Sequence, residues 1–389
     1  YGFGNLTRPL QSVTAFYESP FRLTAGQYLW MYLLLKLVVC YAAALLMIWI
    51  AQKAGTPAGA ILAISTGAVA EYLLTVLLAL YWIVRWRWGW ASVMLVLVVV
   101  GLFKVSLFYK PEFRRVYDDT PVNGRGTVRF MTYNVRNFYS DDGRSSVAEI
   151  LRMVEETDPD IVCMQEFNPA LAEETAEYRT FLENYPYSVG GAAEDPRTAP
   201  LAIFSKFRTI RWGMAHPELQ NENARESIWA DLRIGDDTVR VFNNHLHSTA
   251  INASDNEFIT KHRYISDTAR EDKIRSIVRR FRDNSILRAR QVDSIAREIG
   301  ATPHARIVCG DFNDTPMSYV YRRMAAGLQD AFRESGMGYS FTFRGFFNTL
   351  RIDYVLVSEA FEPLAYEVPE VDYSDHRPVV VQLRHVPSH

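Results

Sequence analysis

Apolar and polar positions follow two different plans along this chain. From 27 to 108 the sequence is apolar with few breaks: QYLWMYLLLKLVVCYAAALLMIWI fills 27 to 50, a small-residue stretch that becomes leucine-rich runs from Pro57 to Val84, and a third stretch runs from about Trp88 to Phe108. At about 1.5 Å rise per residue, a helix of this length covers a hydrocarbon core of roughly 30 Å. Three membrane-spanning helices are therefore predicted, at about 28–50, 57–84 and 88–108. Trp30, Trp82, Trp86, Trp88 and Trp90 cluster near the proposed ends, where amphipathic rings favour the water boundary. The length and repetition of the stretches argue against a secretory signal peptide.

After Lys110 the plan changes. DDTPVNGRGT, at 118 to 127, has the Pro and Gly content of a linker that ends at a strand, so 110–126 is read as linker and 127–385 as a folded domain. Short runs of β-formers then recur: TVRFMTY, DIVCMQE, PLAIFS, SIWADLRI, TVRVFNNHL, ARIVCGDF, YSFTFR, RIDYVLVS and RPVVVQL. Helical spacing appears in SSVAEILRMVEETD, PALAEETAEYRTFLENY, ILRARQVDSIAREIG and PMSYVYRRMAAGLQDAF. The helices fall between strands rather than in a block, which predicts packed sheets with helices on their outer faces, an α+β domain.

Charge sharpens the division. Residues 1–109 hold seven Lys or Arg and two acids, whereas 110–389 carry 35 basic and 42 acidic groups, a net of −7. Glu71 falls within the second predicted span, where Lys36 is the nearest candidate partner, and a carboxyl that is neutral or faces a helix interface, with no transport role, is the favoured reading. Basic residues flank the spans four against four, Arg8, Arg22, Arg85 and Arg87 on one side and Lys53, Lys110, Arg114 and Arg115 on the other. Placing the tight RWRW turn in the cytoplasm puts the large domain outside it, so the expectation is an integral protein of a bacterial inner membrane with the lipid bilayer as a partner. The chain starts at Tyr1, so a further segment is expected upstream. Cys40, Cys163 and Cys309 show no disulfide framework and fit either compartment.

The candidate chemistry sits where apolar runs end in polar side chains. Glu166, at the end of DIVCMQE, is the expected ligand of a divalent cation, the alternative being a buried structural ion pair. Asn134 follows another apolar run and is placed to orient Glu166 or a metal-bound water, if it is not a simple turn residue. Asp311 and Asn313, one residue apart in CGDFND, share one side of an extended segment. The carboxylate can take a proton from an attacking water while the amide holds that water or a phosphate oxygen. Asp314, before Pro316, is read as a loop cap. His376 is paired with Asp353, a carboxylate that fixes the ring and leaves its second nitrogen for a phosphate. Asp375 is then a second carboxylate on the metal side. Of His245 and His247, which alternate to one face, His245 is chosen to touch phosphate and His247 to pack. His216, His262, His304, His385 and His389 are expected at the surface.

Taken in order, MTYN, MQE, LAIFSK, NNHLHS, GDFND, RIDYVLVS and SDH resemble the endonuclease/exonuclease/phosphatase superfamily of DNase I-like enzymes over roughly 127–385. The resemblance implies a four-layer αββα sandwich, dependence on Mg²⁺ or Mn²⁺, and hydrolysis of a phosphoester. It carries metal binding to Glu166, water activation to Asp311, orientation to Asn134 and Asn313, phosphate contact to His245, and a histidine with its acidic partner to His376 and Asp353. NNHLHS stands where abasic-site endonucleases show a YxPNG-like segment and is closer to the phosphatase and sphingomyelinase branches.

A net of −7 offers little of the general basic field that sequence-independent duplex binding uses. One basic patch exists: in KIRSIVRRFR, Ile274, Ile277, Val278 and Phe281 keep helical spacing among five cations. It reads as a helix packed on its own domain, with a membrane-surface lid as the alternative. The leading expectation is a membrane-anchored, metal-dependent phosphodiesterase or phosphatase. A nuclease on DNA or RNA is second, and a catalytically inactive tethered module is third.

Overall fold

The computed structural model describes residues 65–111, 126–190, 201–215, 227–248, 267–345 and 348–386, all within the larger of two units, Ile48–His389. It opens with two helices, α1 (Ser65–Val84) and α2 (Trp88–Val105), followed by a short strand β1 (Tyr109–Lys110). The folded domain then runs β2 (Thr127–Asn134), α3 (Val147–Thr157), β3 (Ile161–Gln165), α4 (Pro169–Glu173), α5 (Ala176–Asn184), β4 (Tyr187–Gly190), β5 (Ala202–Ser205) and β6 (Thr209–Met214). Next come β7 (Ser227–Ile234), β8 (Asp237–His245), α6 (Asp267–Ala301), β9 (Ala305–Asp311), α7 (Tyr319–Met324) and β10 (Gln329–Asp330). The last elements are α8 (Ala331–Ser335), β11 (Gly338–Tyr339), β12 (Asp353–Val357), β13 (Phe361–Glu367) and β14 (Val379–His385).

The expectation of a membrane protein is corrected here. Among the described residues no helix is long and apolar enough to cross a membrane. The helix expected over 88–108 runs Trp88–Val105, 18 residues or about 27 Å. Of the one expected over 57–84, Ser65–Val84 is described as helix, and 57–64 lie outside the described residues. That finding overturns the inner-membrane location and leaves the bilayer partner without support; the span at 28–50 lies outside the described residues. Just ahead of the expected linker the chain touches the domain. Leu107 and Phe108 are buried in the domain, β1 pairs with β11, and buried Arg351 donates from Nη2 to the Leu107 carbonyl at 3.0 Å.

Two six-stranded sheets pack face to face, one ordered β13-β14-β2-β3-β5-β4 and the other β10-β12-β9-β8-β7-β6. Each has one central parallel pair, β2 with β3 and β8 with β9, flanked by antiparallel neighbours. Val128, Phe130, Ile161 and Cys163 from the first sheet meet Val241, Ile307, Cys309 and Val355 from the second. The alternate positions face outward: Met131, Tyr133 and Val162 pack under α3 and α5, and Phe242, Val308 and Leu356 pack under α6 and α7. Central strands buried on both faces explain the continuous apolar runs in the sequence. The result is the α+β sandwich, helices outside and sheets inside.

Candidate active site

The parallel strands β2 and β3 of one sheet and β8 and β9 of the other all end at the same edge of the sandwich. A polar seam sets their spacing. Asn243 on β8 donates to the carbonyls of Met164 and Ala202 in the opposite sheet, each at 2.9 Å, and its Oδ1 accepts from Gln165 at 2.6 Å. Gln165 also donates to Thr132 at 2.9 Å. Glu166 is the next residue after this seam, and His245 is two residues beyond Asn243.

Gly310 lets β9 come close to β8. Its φ is +122°, and a Cβ there would stand 1.9 Å from the Asn244 carbonyl oxygen, so no other residue fits without moving a strand. The register this allows sets His245 beside Asp311, and Asp311 beside Asp353 of β12.

Asp311 is buried and held from several sides. Its Oδ1 accepts the Asn313 backbone N–H at 2.8 Å, and its Oδ2 accepts Nδ2 of Asn134 and of Asn313, both at 3.1 Å. Asn134 also donates to Glu166 Oε1 at 3.2 Å, while its own Oδ1 accepts the Arg136 N–H at 3.0 Å, which fixes the amide. Asn313 donates further to the Leu246 carbonyl at 3.0 Å.

Glu166 and Asn313 both sit at positive φ, 50° and 49°. The strained turn at Arg136, Asn137 and Phe138 is also left-handed throughout, the kind of local cost that accumulates at functional sites. That turn delivers Asn137, whose N–H binds the Glu166 carbonyl at 2.8 Å and whose Nδ2 reaches Glu166 Oε2 at 3.4 Å.

His376 Nδ1 and Asp353 Oδ2 are 2.9 Å apart, both buried. Burial works to lower the imidazole, but Asp353 and then Asp311 outweigh it and push its pKa up to about 10, so the ring carries a proton on each nitrogen at neutral pH. Burial in turn raises the Asp311 carboxyl, opposed by His376 and reinforced by Asp353. His376 Nε2 and His245 Nε2 lie 3.6 and 3.8 Å from Asp311 Oδ2. Those distances are too long for hydrogen bonds and leave both nitrogens to a ligand oxygen.

Asp311, Asp353 and His376 each bring a donor atom within 4.8 Å of one another; the two carboxylates could hold a metal ion as they stand, and His376 only after losing a proton. Asp353 Oδ1 is buried with no hydrogen-bond partner among the described residues.

The chain thus brings Asn134, Glu166, His245, Asp311, Asn313, Asp353 and His376 to one place. Asp375, expected on the metal side, has its carboxylate 3.7 Å from Arg136 Nε and 3.4 Å from Ser374 Oγ. His247 packs against α6, its Nε2 3.2 Å from Asn284 Oδ1. Asp314 does cap its loop, accepting the Thr315 N–H at 2.9 Å, and also faces buried Arg288 at 3.5 Å. His385 is not a surface residue: it is largely buried beside Asp237 with its ring on Phe361.

Several supporting residues escaped the sequence reading. Thr342 Oγ1 accepts the N–H groups of Ile352 and Asp353, each at 3.1 Å. Ser374 donates to the Asn134 carbonyl at 2.8 Å and accepts the His376 N–H at 3.2 Å. The Phe343 ring lies 5.1 Å from that of His376. Only Ser374 had a signal, as the first residue of SDH.

A model of the Endonuclease/Exonuclease/phosphatase family matches residues 131–376. Among solved structures, a family protein from Bacteroides thetaiotaomicron is 18% identical, covering 68% of this chain and 98% of its own, with a TM-score of 0.44. One from Beutenbergia cavernae is 17% identical over 68% and 74%, with a TM-score of 0.47. A mannosyl-6-phosphatase of Bacteroides thetaiotaomicron is 21% identical over 66% and 99%, with a TM-score of 0.44. At these identities and scores the structural likenesses carry no functional weight. No curated protein sequence matches the chain.

Proposed function

This chain belongs to the endonuclease/exonuclease/phosphatase family, and from that premise we propose that it is a divalent-cation-dependent phosphoric ester hydrolase with Asp311 as its general base. The observation that carries the proposal is the meeting of Asp311 with the Asp353–His376 pair at one sheet edge and with Asn134 and Glu166 from the other sheet.

A hard divalent cation suits the donor set, which is rich in carboxylate oxygens and includes the orphaned Asp353 Oδ1. Glu166, with Asn134 beside it, would hold Mg²⁺ or Mn²⁺. When bound, the cation would neutralise charge on the phosphoryl oxygens and acidify water.

The chain's own groups account for the rest. Asp311 takes the proton of the attacking water. Burial raises its basicity, while Asn134 and Asn313 hold the carboxylate in one orientation. His376, kept protonated by Asp353, donates from Nε2 to a phosphoryl oxygen as negative charge builds on it. His245, 3.6 Å from Glu166 and 3.8 Å from Asp311, holds a second phosphoryl oxygen and fixes the line of attack.

The test is turnover of p-nitrophenyl phosphate and bis(p-nitrophenyl) phosphate with Mg²⁺, with chelator, and in Asp311→Ala. Hydrolysis of either ester that requires both the cation and Asp311 supports the proposal. An inactive wild type, or an active Asp311→Ala, refutes it. Plasmid DNA, RNA and small phosphoesters assayed in parallel separate a nuclease from a phosphatase.

A further inference from the structure

Beside the site two arginines hold one carboxylate between them. Arg136 Nη1 lies 2.7 Å from Asp141 Oδ1, and Arg344 Nη1 lies 2.9 Å from Asp141 Oδ2. One guanidinium on each oxygen is the arrangement that a carboxylate or phosphate of a ligand would also take. The two arginines are placed by different parts of the chain. Arg136 belongs to the strained turn that follows Asn134. Arg344 is anchored from several directions: its backbone N–H binds the Asp375 carbonyl at 2.8 Å, and its Nη1 reaches the carbonyls of Ser374 at 2.9 Å and Asp372 at 3.3 Å. It also follows Phe343, whose ring touches His376.

The partner they share is held more loosely. The Asp141 side chain is 57% exposed, against 37% for Arg136 and 25% for Arg344. It stands in the short turn closed by the bridge from Tyr139 to Ser145, which contains Gly143 at φ +77°. An exposed carboxylate on a surface turn is the cheaper member to displace, because it regains water as it leaves. The Arg136 guanidinium then keeps its 3.7 Å approach to Asp375, and that of Arg344 its contacts to the Ser374 and Asp372 carbonyls, so each has donors to offer an incoming anion.

We infer that Arg136 and Arg344 form a second anion subsite, occupied by Asp141 at rest, which selects substrates carrying another anionic group, a phosphate, beyond the one being cleaved. This rests on the hydrolase proposal above and adds the class of substrate to it. Asp141 sets the threshold: a second phosphate with more charge displaces it, and a neutral substituent does not.

The experiment compares alkanediol monophosphates with α,ω-bisphosphates over a ladder of chain lengths, reading released phosphate in the full chain with Mg²⁺. The measured quantity is the ratio of kcat/KM for bisphosphate over monophosphate at the best chain length. It is expected to exceed one in the wild type, to fall by about fivefold in Arg136→Gln, and to rise by a similar factor in Asp141→Asn. Because Arg344 also holds the backbone that carries His376, Arg136→Gln and Asp141→Asn are the informative variants, and circular dichroism confirms that both are folded. A ratio that moves in neither variant, or in the same direction in both, overturns the subsite. Failure of the wild type on every phosphoester strikes the hydrolase proposal instead, so the two failures are distinguishable.

Discussion

Replacing Asp353 by Asn preserves the shape of the side chain and removes the charge facing His376. In the native chain Asp353 Oδ2 stands 2.9 Å from Nδ1 of a buried imidazole. Burial alone would lower that ring, yet Asp353 and Asp311 lift it from 6.5 to about 10. A rise of this size corresponds to at most ~5 kcal/mol of preference for the charged ring in the folded chain. The sign follows from the folded value lying above the unfolded one. The stabilisation is fully present below pH 6.5 and is lost as pH rises through about 10, at up to ~1.4 kcal/mol per pH unit. In Asp353→Asn the largest opposing charge is gone and Asp311, with a smaller contribution from Asp375, is left to oppose burial, so the ring loses its proton at lower pH and the dependence across this window flattens. The assay is urea unfolding of both proteins across that pH range with chelator present, so that no cation binds the site. The wild type should begin more stable and fall toward the variant, while groups elsewhere titrate equally in both. Parallel stability curves would refute the reasoning. Turnover of the variant at neutral pH should drop by about a hundredfold or more, as for loss of a group that stabilises developing charge.

Asp311→Ala should lower kcat by about 10²- to 10⁴-fold with an unchanged far-UV spectrum; activity within tenfold of the wild type would remove Asp311 as the base. Chelation should abolish turnover and added Mg²⁺ restore it, and Mg²⁺ at about a hundredfold over Kd should stabilise the wild type by ~2.7 kcal/mol, an effect largely missing in Glu166→Gln. An equal Mg²⁺ stabilisation in both proteins would place the cation elsewhere. Gly310→Ala should cost ~2–6 kcal/mol, from ~1–3 for an unfavourable φ and a similar amount for a backbone clash, read as a denaturant midpoint. A shift below ~1 kcal/mol would mean that β8 and β9 can separate freely at that point.

What the sequence made legible follows burial. β2, β3, β7, β8, β9 and β12 lie within a residue or two of the runs that predict them, because strands buried on both faces leave unbroken apolar text. β4, β6 and β13 were not read. β6 is largely exposed at Ile210 and Trp212, and β13 is interrupted by a register shift after Pro363, so neither shows a clean period. The single helix expected over 169–185 breaks at Thr175, whose hydroxyl caps α5 by accepting the Tyr178 N–H. YSFTFR has strand composition, but only Tyr339 lies in a strand, and Thr342 spends its hydroxyl on Ile352 and Asp353. The apolar stretches predict membrane spans, yet among the described residues no helix is long and apolar enough to cross a membrane, because apolar composition does not by itself fix where a helix begins and ends.

The site residues were visible for a related reason. A carboxylate, amide or imidazole directly after a buried strand must either leave the sandwich or find partners, and here the partners are one another. Two of the polar positions, Gln165 and Asn243, belong instead to the interior, where they tie the sheets together. That seam lies directly behind Glu166 and His245, so the distance between the groups from opposite sheets is set by hydrogen bonds rather than by apolar packing, which tolerates small slips. Arg136 and Arg344 escaped notice because they sit in turns with no periodicity, where neighbours are decided by tertiary structure alone. The groups proposed to cleave a phosphoester therefore lie at strand ends and could be read, whereas the groups proposed to choose among phosphoesters lie in loops and required the fold.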